Sequence, residues 1–178
     1  MSKKFHINLK IFRNTIYEKN SLLIRPLKAK DVKKNYIKSI QDYTINKFLF
    51  FKRKKISRKS IENYVLKNEN SSNNILFGIF FKKRHIGNTR LTVKKNETIL
   101  GIAIFDRRSQ GRGFGSKALK IISDFAIKKL NIRTVKGGID TKNFASIKTF
   151  KKAGFLIKPN INIYNKSSRK YCLAIMKK

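Results

Sequence analysis

The segment Gln110-Gly111-Arg112-Gly113-Phe114-Gly115-Ser116 concentrates the chain's most readable chemistry, because three of its five central residues are glycine. Without side chains at a turn, consecutive backbone N–H groups converge on one point, and a helix starting there adds the positive end of its dipole. Such a cradle suits an anion, and a diphosphate is the expected guest. Arg107, Arg108 and Arg112 add cationic charge beside it. The segment is no nucleoside-triphosphate loop, since no Gly-Lys-Ser/Thr closes it, and its glycine spacing departs from the Gly-x-Gly-x-x-Gly dinucleotide pattern.

A cradle works only if flanking elements hold it. Upstream, the apolar run Thr98 to Phe105 predicts a buried strand; downstream, Leu119, Ile122, Ala126 and Leu130 recur at helical spacing. Ile132 to Ile139 then predicts a short strand, which a strand–helix–strand crossover places parallel to the first. Ile75–Phe81, His85–Val93 and Thr98–Phe105, separated by two basic turns, predict an antiparallel meander. Beyond the crossover, Asn143 to Ala153 reads as a helix closed by Gly154, and Phe155–Ile157 and Tyr171–Met176 as the last strands.

In the N-terminal part, Phe5, Ile7, Leu9 and Ile11 alternate as in a strand, and a polar break over Arg13 to Asn20 leads to a strand at Ser21–Arg25 ended by Pro26. Asp31 is the expected cap of a helix carrying Val32, Tyr36, Ile40 and Tyr43, and Ser57 that of a helix carrying Ile61, Tyr64 and Val65. The pattern predicts an α+β fold with a mixed, mostly antiparallel sheet. Residues 1–20 read as a strand-like extension and 21–178 as one domain.

The formal charge of +35, from 44 Lys and Arg against 9 Asp and Glu, predicts nonspecific adhesion to polyanions such as nucleic acid. The lysines are scattered, as at Lys33-Lys34, Lys82-Lys83 and Lys151-Lys152, which places most of that charge on solvated faces. No helix-turn-helix or zinc-finger pattern accompanies it. The single cysteine, Cys172, excludes an intramolecular disulfide and a cysteine-based zinc site, and no metal is expected. No apolar run approaches the ~20 residues of a membrane span. A basic N-terminus without an apolar stretch or a cleavage site gives the expectation of a cytoplasmic protein.

Three ordered motifs resemble the GCN5-related N-acetyltransferase (GNAT) superfamily. Gln110-x-x-Gly113-x-Gly115 matches its Gln/Arg-x-x-Gly-x-Gly/Ala loop, and Asn143-x-x-Ser146-Ile147-x-x-Phe150-x-x-x-Gly154-Phe155 is similar to its later helix. Leu23-Ile24-Arg25-Pro26-Leu27 followed by Asp31 is similar to the first strand of the branch with ribosomal-protein alanine acetyltransferases. The resemblance runs from about Ser21 to the C-terminus. It implies acetyl-CoA as co-substrate, its pyrophosphate on the amides from Gln110 to Ser116 and its pantetheine in a gap between the crossover strands. Ile104 and Phe105 would offer backbone groups to it, and Asn143 a further contact.

The resemblance also implies direct attack of a neutral amine on the thioester, with a backbone N–H near Phe105 polarising the carbonyl. Where many members carry a glutamate, this chain has Ile99 nearby. Glu97, on the same face by alternation, is the first candidate base, and His85 the second. A solvated turn charge and a surface histidine stand beside those readings. The family's usual tyrosine acid is Phe150 here, which has no proton to give. Ser146 or water then remains, with Tyr164 and Tyr171 as more distant choices.

Acceptor walls are expected from the first two helices and the later loops, around Tyr36, Tyr43, Asn88, Arg90 and Tyr164. A strongly positive protein repels polyamines, so a small-molecule or peptide amine is expected, above all a nucleotide-linked amino sugar. His85-Ile86-Gly87-Asn88 and Ser146-Ile147 look similar to surface-sugar acetyltransferases. A protein N-terminal amine and a catalytically idle polyanion-binding protein are the alternatives.

Overall fold

In a computed structural model, which describes residues 9, 14, 17–46, 48, 56–94, 97–159 and 170–178, the chain first forms strands β1 (Tyr17–Lys19) and β2 (Leu22–Pro26). Helices α1 (Lys34–Gln41), α2 (Tyr43–Asn46) and α3 (Arg58–Glu69) follow. Next come the meander β3 (Asn74–Phe81), β4 (Arg84–Lys94) and β5 (Glu97–Ile104), helix α4 (Phe114–Lys129) and strand β6 (Thr134–Asp140). Helix α5 (Phe144–Lys152) and strands β7 (Leu156–Lys158) and β8 (Tyr171–Lys177) complete it. The strands make one mixed sheet in the order β1-β2-β3-β4-β5-β6-β8-β7, antiparallel except where β5 meets β6.

Alternation along the strands divides the core between two faces. On one, Phe77, Ile79, Leu91 and Leu100 pack with Leu119, Ile122 and Ala126 of α4 and Phe150 of α5. On the other, Leu76, Phe80 and Phe105 pack with Tyr36 and Ile40 of α1 and Ile61 and Val65 of α3. The α+β fold, the meander and the crossover are as the sequence predicts. Ser57 caps α3, its Oγ accepting from the Ser60 amide at 3.1 Å.

Three expectations are corrected and one lies elsewhere. The polar stretch before Asn20 holds β1, paired with β2 from Tyr17↔Ile24 to Lys19↔Leu22; backbone pairing here needs no apolar alternation. Asp31 does not cap α1. Its carboxylate grips both terminal nitrogens of Arg25 at 2.7 Å and accepts from the Lys28 amide at 2.9 Å, so α1 begins only after Lys33. Tyr43 is 64% exposed, because Asp42 adopts extended backbone and starts α2 as a separate turn. The strand expected at Phe5–Ile11 lies outside the described residues apart from Leu9, which is buried and donates its amide to the Ser72 carbonyl at 2.9 Å.

The parting of β5 from β6 shapes the site. The two strands pair only at Glu97↔Thr134, Thr98↔Val135 and Ile99↔Lys136, and then diverge. Beyond β6, β8 takes over the pairing along its whole length, from Thr134↔Lys177 to Asp140↔Tyr171.

Candidate active site

The glycine segment sits where β5 ends. Gly111 and Gly113 have φ of 73° and 82°, the left-handed region that only glycine enters without cost. Gly113 is the N-cap of α4, so the first N–H groups of the helix face outward from the turn. An added Cβ at Gly111 would meet nothing within 4 Å and one at Gly113 only Lys152 Nζ at 3.9 Å, so the cradle is open. At Gly115 a Cβ would lie 3.0 Å from Thr149 Cγ2; that glycine serves the close packing of α4 on α5. The Gln110 side chain ties the loop back to its strand, donating to the Ile104 carbonyl at 2.9 Å.

A cavity of about 770 Å³ runs from this cradle through the gap between β5 and β6. Gln110, Gly111, Gly113, Phe114, Gly115 and Ser116 line it, as do Asn143 and Ser146 at the start of α5. Asn143 caps that helix, its Oδ1 accepting from the Ser146 amide at 3.1 Å. Arg112 is not part of the lining; its guanidinium lies over the Phe81 and Phe114 rings at 5.6 and 5.5 Å.

The backbone of β5 supplies the wall. Phe105 N–H donates to the Ile86 carbonyl at 3.0 Å, so it is engaged by β4 and does not face the cavity as expected. Antiparallel bonding alternates, which turns the N–H groups of Ile102 and Ile104 the other way, towards the gap that β6 has left. Ile104 lines the cavity as predicted, while the Phe105 ring is buried against Tyr36 at 5.0 Å between centroids.

The far half of the cavity lies on the α1–α3 side, among Tyr36, Ile40, Thr44, Tyr64, Asn88 and Arg90. Arg90 is exposed, pairs in register with Gly101, and has no ion-pair partner among the described residues. A Cβ on Gly101 would meet nothing within 4 Å, so open space lies over that position beside the guanidinium. Asp140 is the carboxylate among the described lining residues; by alternation along β6 it shares a sheet face with Arg90, and its Oδ1 accepts from the Lys142 amide at 2.9 Å.

The structure separates the expected catalytic residues. Ser146 lines the cavity. Glu97 does not: at the outer end of β5, half exposed, it accepts from Lys136 Nζ at 2.6 Å. Six residues of strand, roughly 20 Å at 3.3 Å each, separate it from Ala103. Glu97→Gln is accordingly expected to change kcat by less than about threefold in a thiol-release assay; a loss of the ~10²-fold or more typical of a general base would restore Glu97 to the chemistry.

His85 is no surface histidine. Its ring stacks on Phe80 at 4.7 Å and meets Tyr36 at 4.7 Å, and Nε2 lies 2.6 Å from Asn88 Oδ1. Burial pushes the imidazole down to about 4, against the pull of the Asn88 hydrogen bond. It is neutral at physiological pH and stands behind the cavity wall. Asn88 in turn donates from Nδ2 to the Tyr36 hydroxyl at 2.7 Å.

Phe150 is buried beneath β6, where a Cβ on Gly137 would come within 2.5 Å of its ring. Tyr171, expected to be distant, lines the cavity, because β8 lies directly beside β6. Tyr64, expected from its spacing only on the apolar side of a helix, and Phe48 also line it. Tyr164 lies outside the described residues, and Tyr43 outside the lining. Among the described residues no group of three or more His, Cys, Asp or Glu could hold a metal, and no helix is long and apolar enough to cross a membrane.

The family model for the acetyltransferase (GNAT) domain matches residues 21–156. No curated protein sequence matches the chain. Among solved structures, a ribosomal L7/L12 α-N-protein acetyltransferase in complex with coenzyme A is 15% identical with a TM-score of 0.80, over 92% of this chain and 98% of that one. A ribosomal-protein-S5-alanine acetyltransferase from Vibrio fischeri is 16% identical with a TM-score of 0.74, over 90% and 95%. A spermidine N-acetyltransferase from Vibrio cholerae, solved with CoA and spermine, is 16% identical with a TM-score of 0.72, over 89% and 96%. At these identities the likeness is one of fold.

Proposed function

Because the chain belongs to the GNAT acetyltransferase family, it is an acyl-CoA-dependent N-acetyltransferase, and we infer that its acceptor is a primary amine on an anionic small molecule, a nucleotide-linked amino sugar. The observation that supports the acceptor class is the exposed Arg90 guanidinium, without an ion-pair partner among the described residues, beside the open space at Gly101. A guanidinium there attracts phosphate and repels a polycation.

The chain's own groups divide the work. The amides from Gly111 to Ser116 hold the diphosphate of acetyl-CoA, with the α4 dipole behind them. The Ile102 and Ile104 N–H groups, turned into the gap, bond the pantetheine arm and the carbonyl oxygen as it gains charge during attack. Asn143 and Ser146 border the same arm. The amine arrives from the Arg90 side, neutral, so that its lone pair reaches the thioester carbon in the gap between the strands.

A protein N-terminal amine is the second reading, favoured by the fold shared with the two ribosomal-protein acetyltransferases. Thiol release from acetyl-CoA, measured across amino-sugar nucleotides, peptide N-termini and spermidine, separates them. An amino-sugar nucleotide is expected to give the highest kcat/KM, and Arg90→Gln to raise its KM roughly tenfold, the ~1.4 kcal/mol of one charge-assisted contact. Spermidine as the best acceptor would end the anionic reading.

A further inference from the structure

We propose that Tyr36 is the proton carrier of the reaction, its hydroxyl passing a proton to the departing coenzyme A sulfur and regaining the one lost by the amine nitrogen; this rests on the acetyl-transfer reading above. The site needs such a group. Phe150 carries no hydroxyl, Glu97 is ion-paired at the far end of β5, and neutral His85 stands behind the wall.

The hydroxyls around the cavity differ in where their protons point. Ser116 donates to the Gly113 carbonyl at 3.1 Å, Thr149 to the Ala145 carbonyl at 2.8 Å, Thr44 to Asp42 at 2.7 Å, and Ser109 to Asp106. Those four are committed to groups within the protein; Ser146, Tyr64 and Tyr171 also line the cavity, while the Asn88 amide and the His85 and Phe105 rings orient Tyr36. Tyr36 is held the opposite way: its oxygen receives the Asn88 Nδ2–H at 2.7 Å, which leaves its own O–H directed away from Asn88.

Asn88 keeps this polarity with the Nε2–H tautomer of His85, in which the ring donates to the amide oxygen. Its Oδ1 accepts from His85 Nε2 at 2.6 Å, and burial keeps that imidazole neutral. The rings of His85 and Phe105, 4.7 and 5.0 Å from that of Tyr36, fix the phenol on both sides. Asn88 is in register with Ala103, so the relay stands over the stretch of β5 that borders the gap. His85 and Asn88 are positioning residues; the hydroxyl of Tyr36 is the group that meets the reacting atoms.

The balance closes within the site. The amine nitrogen bonds to the carbonyl carbon, the carbon–sulfur bond breaks with its electron pair going to sulfur, and sulfur takes the phenol proton. The transient phenolate, which burial disfavours and the Asn88 N–H partly offsets, takes the proton that the nitrogen sheds on becoming an amide. Tyrosine is restored, and the products are the N-acetyl amine and coenzyme A thiol.

The test uses hydroxylamine as a small nucleophile, so that it does not depend on the identity of the natural acceptor. With the full chain and acetyl-CoA, Tyr36→Phe is expected to lower kcat for thiol release roughly 10²-fold, within the usual range for proton-transfer catalysis, with acetyl-CoA affinity by calorimetry unchanged. The wild-type rate should show a solvent deuterium isotope effect that the variant loses. Asn88→Ala is expected to lower kcat about tenfold in wild type and not further in Tyr36→Phe, a non-additivity that a merely structural role would not produce. Equal kcat in wild type and Tyr36→Phe, at unchanged affinity, overturns the proposal alone. A wild type that binds acetyl-CoA yet releases no thiol overturns the acetyl-transfer reading and the proposal together.

Discussion

Valine at position 113 is expected to weaken acetyl-CoA binding roughly 10²-fold. Gly113 has φ of 82°, where an L side chain costs about 1–2 kcal/mol and a β-branched one is least tolerated. The nearest protein atom to a new Cβ is 3.9 Å away, so the side chain would enter the anion cradle and not the core. Relaxing the strain would swing the first amides of α4 off their common focus. Both routes act on the ligand, and ~2.7 kcal/mol corresponds to the stated factor. Calorimetric titration with acetyl-CoA reads the affinity, and a thermal melt should show the strain as a drop of roughly 2–8 °C for a chain of this size. An affinity within threefold of wild type would remove the glycine segment from the coenzyme site.

Asp31→Ala is expected to destabilise the fold by about 2 kcal/mol at neutral pH, a fall of roughly 4–8 °C in Tm. The carboxylate is 11% exposed and grips both terminal nitrogens of Arg25, whose guanidinium lies over the Phe80 ring at 4.4 Å; Phe80 in turn stacks on His85. Removing the carboxylate leaves that cation half-buried and uncompensated. Burial alone would raise the Asp31 carboxyl, but the Arg25 and Lys28 hydrogen bonds outweigh it and leave it below the ordinary carboxylate value. A depressed acid contributes stability above its unfolded value, near ~3.9, and loses it as pH falls further. The difference between wild type and variant should therefore be full above about pH 5 and shrink below 4. His85, held down to about 4 by burial and partly relieved by the Asp31 charge, lets the unfolded chain bind a proton first, so both proteins lose stability from about pH 6.5 down to 4, the variant somewhat more. Denaturant melts at pH 7, 5 and 3 resolve the two, and a variant gap as large at pH 3 as at pH 7 would contradict the assignment.

The Leu23-Ile24-Arg25-Pro26-Leu27 and Asp31 motif thus has a physical meaning that its resemblance did not supply: it braces the back of the acceptor half. What was legible in the sequence were features with a local cause. Glycine density marked the cradle, unbroken apolar runs marked β3 and β5, and Gly154 after a short amphipathic stretch marked the end of α5. What was not legible depends on partners distant in sequence. Glu97 and Ile99 share a face, as alternation predicts, but only the pairing with β6 shows that Glu97 meets Lys136 far from the cavity. His85 follows a basic turn and reads as exposed until α1 folds over it. Tyr171 enters the lining because the last strand inserts between β6 and β7, an order that no local pattern encodes.

The early parting of β5 and β6 gives the sheet two edges at its centre. Unpaired strand edges at the rim of a sheet invite another chain to add itself, and proteins commonly blunt them. Here α4 and α5 cover one face of the sheet beside the opening, so a whole strand with side chains above and below has no way in. A thin molecule bearing amides of its own can thread the gap and complete the interrupted ladder, much as a peptide completes an open sheet. The coenzyme then acts as a ninth strand, and its arrival should slow hydrogen exchange most at Ile102 and Ile104.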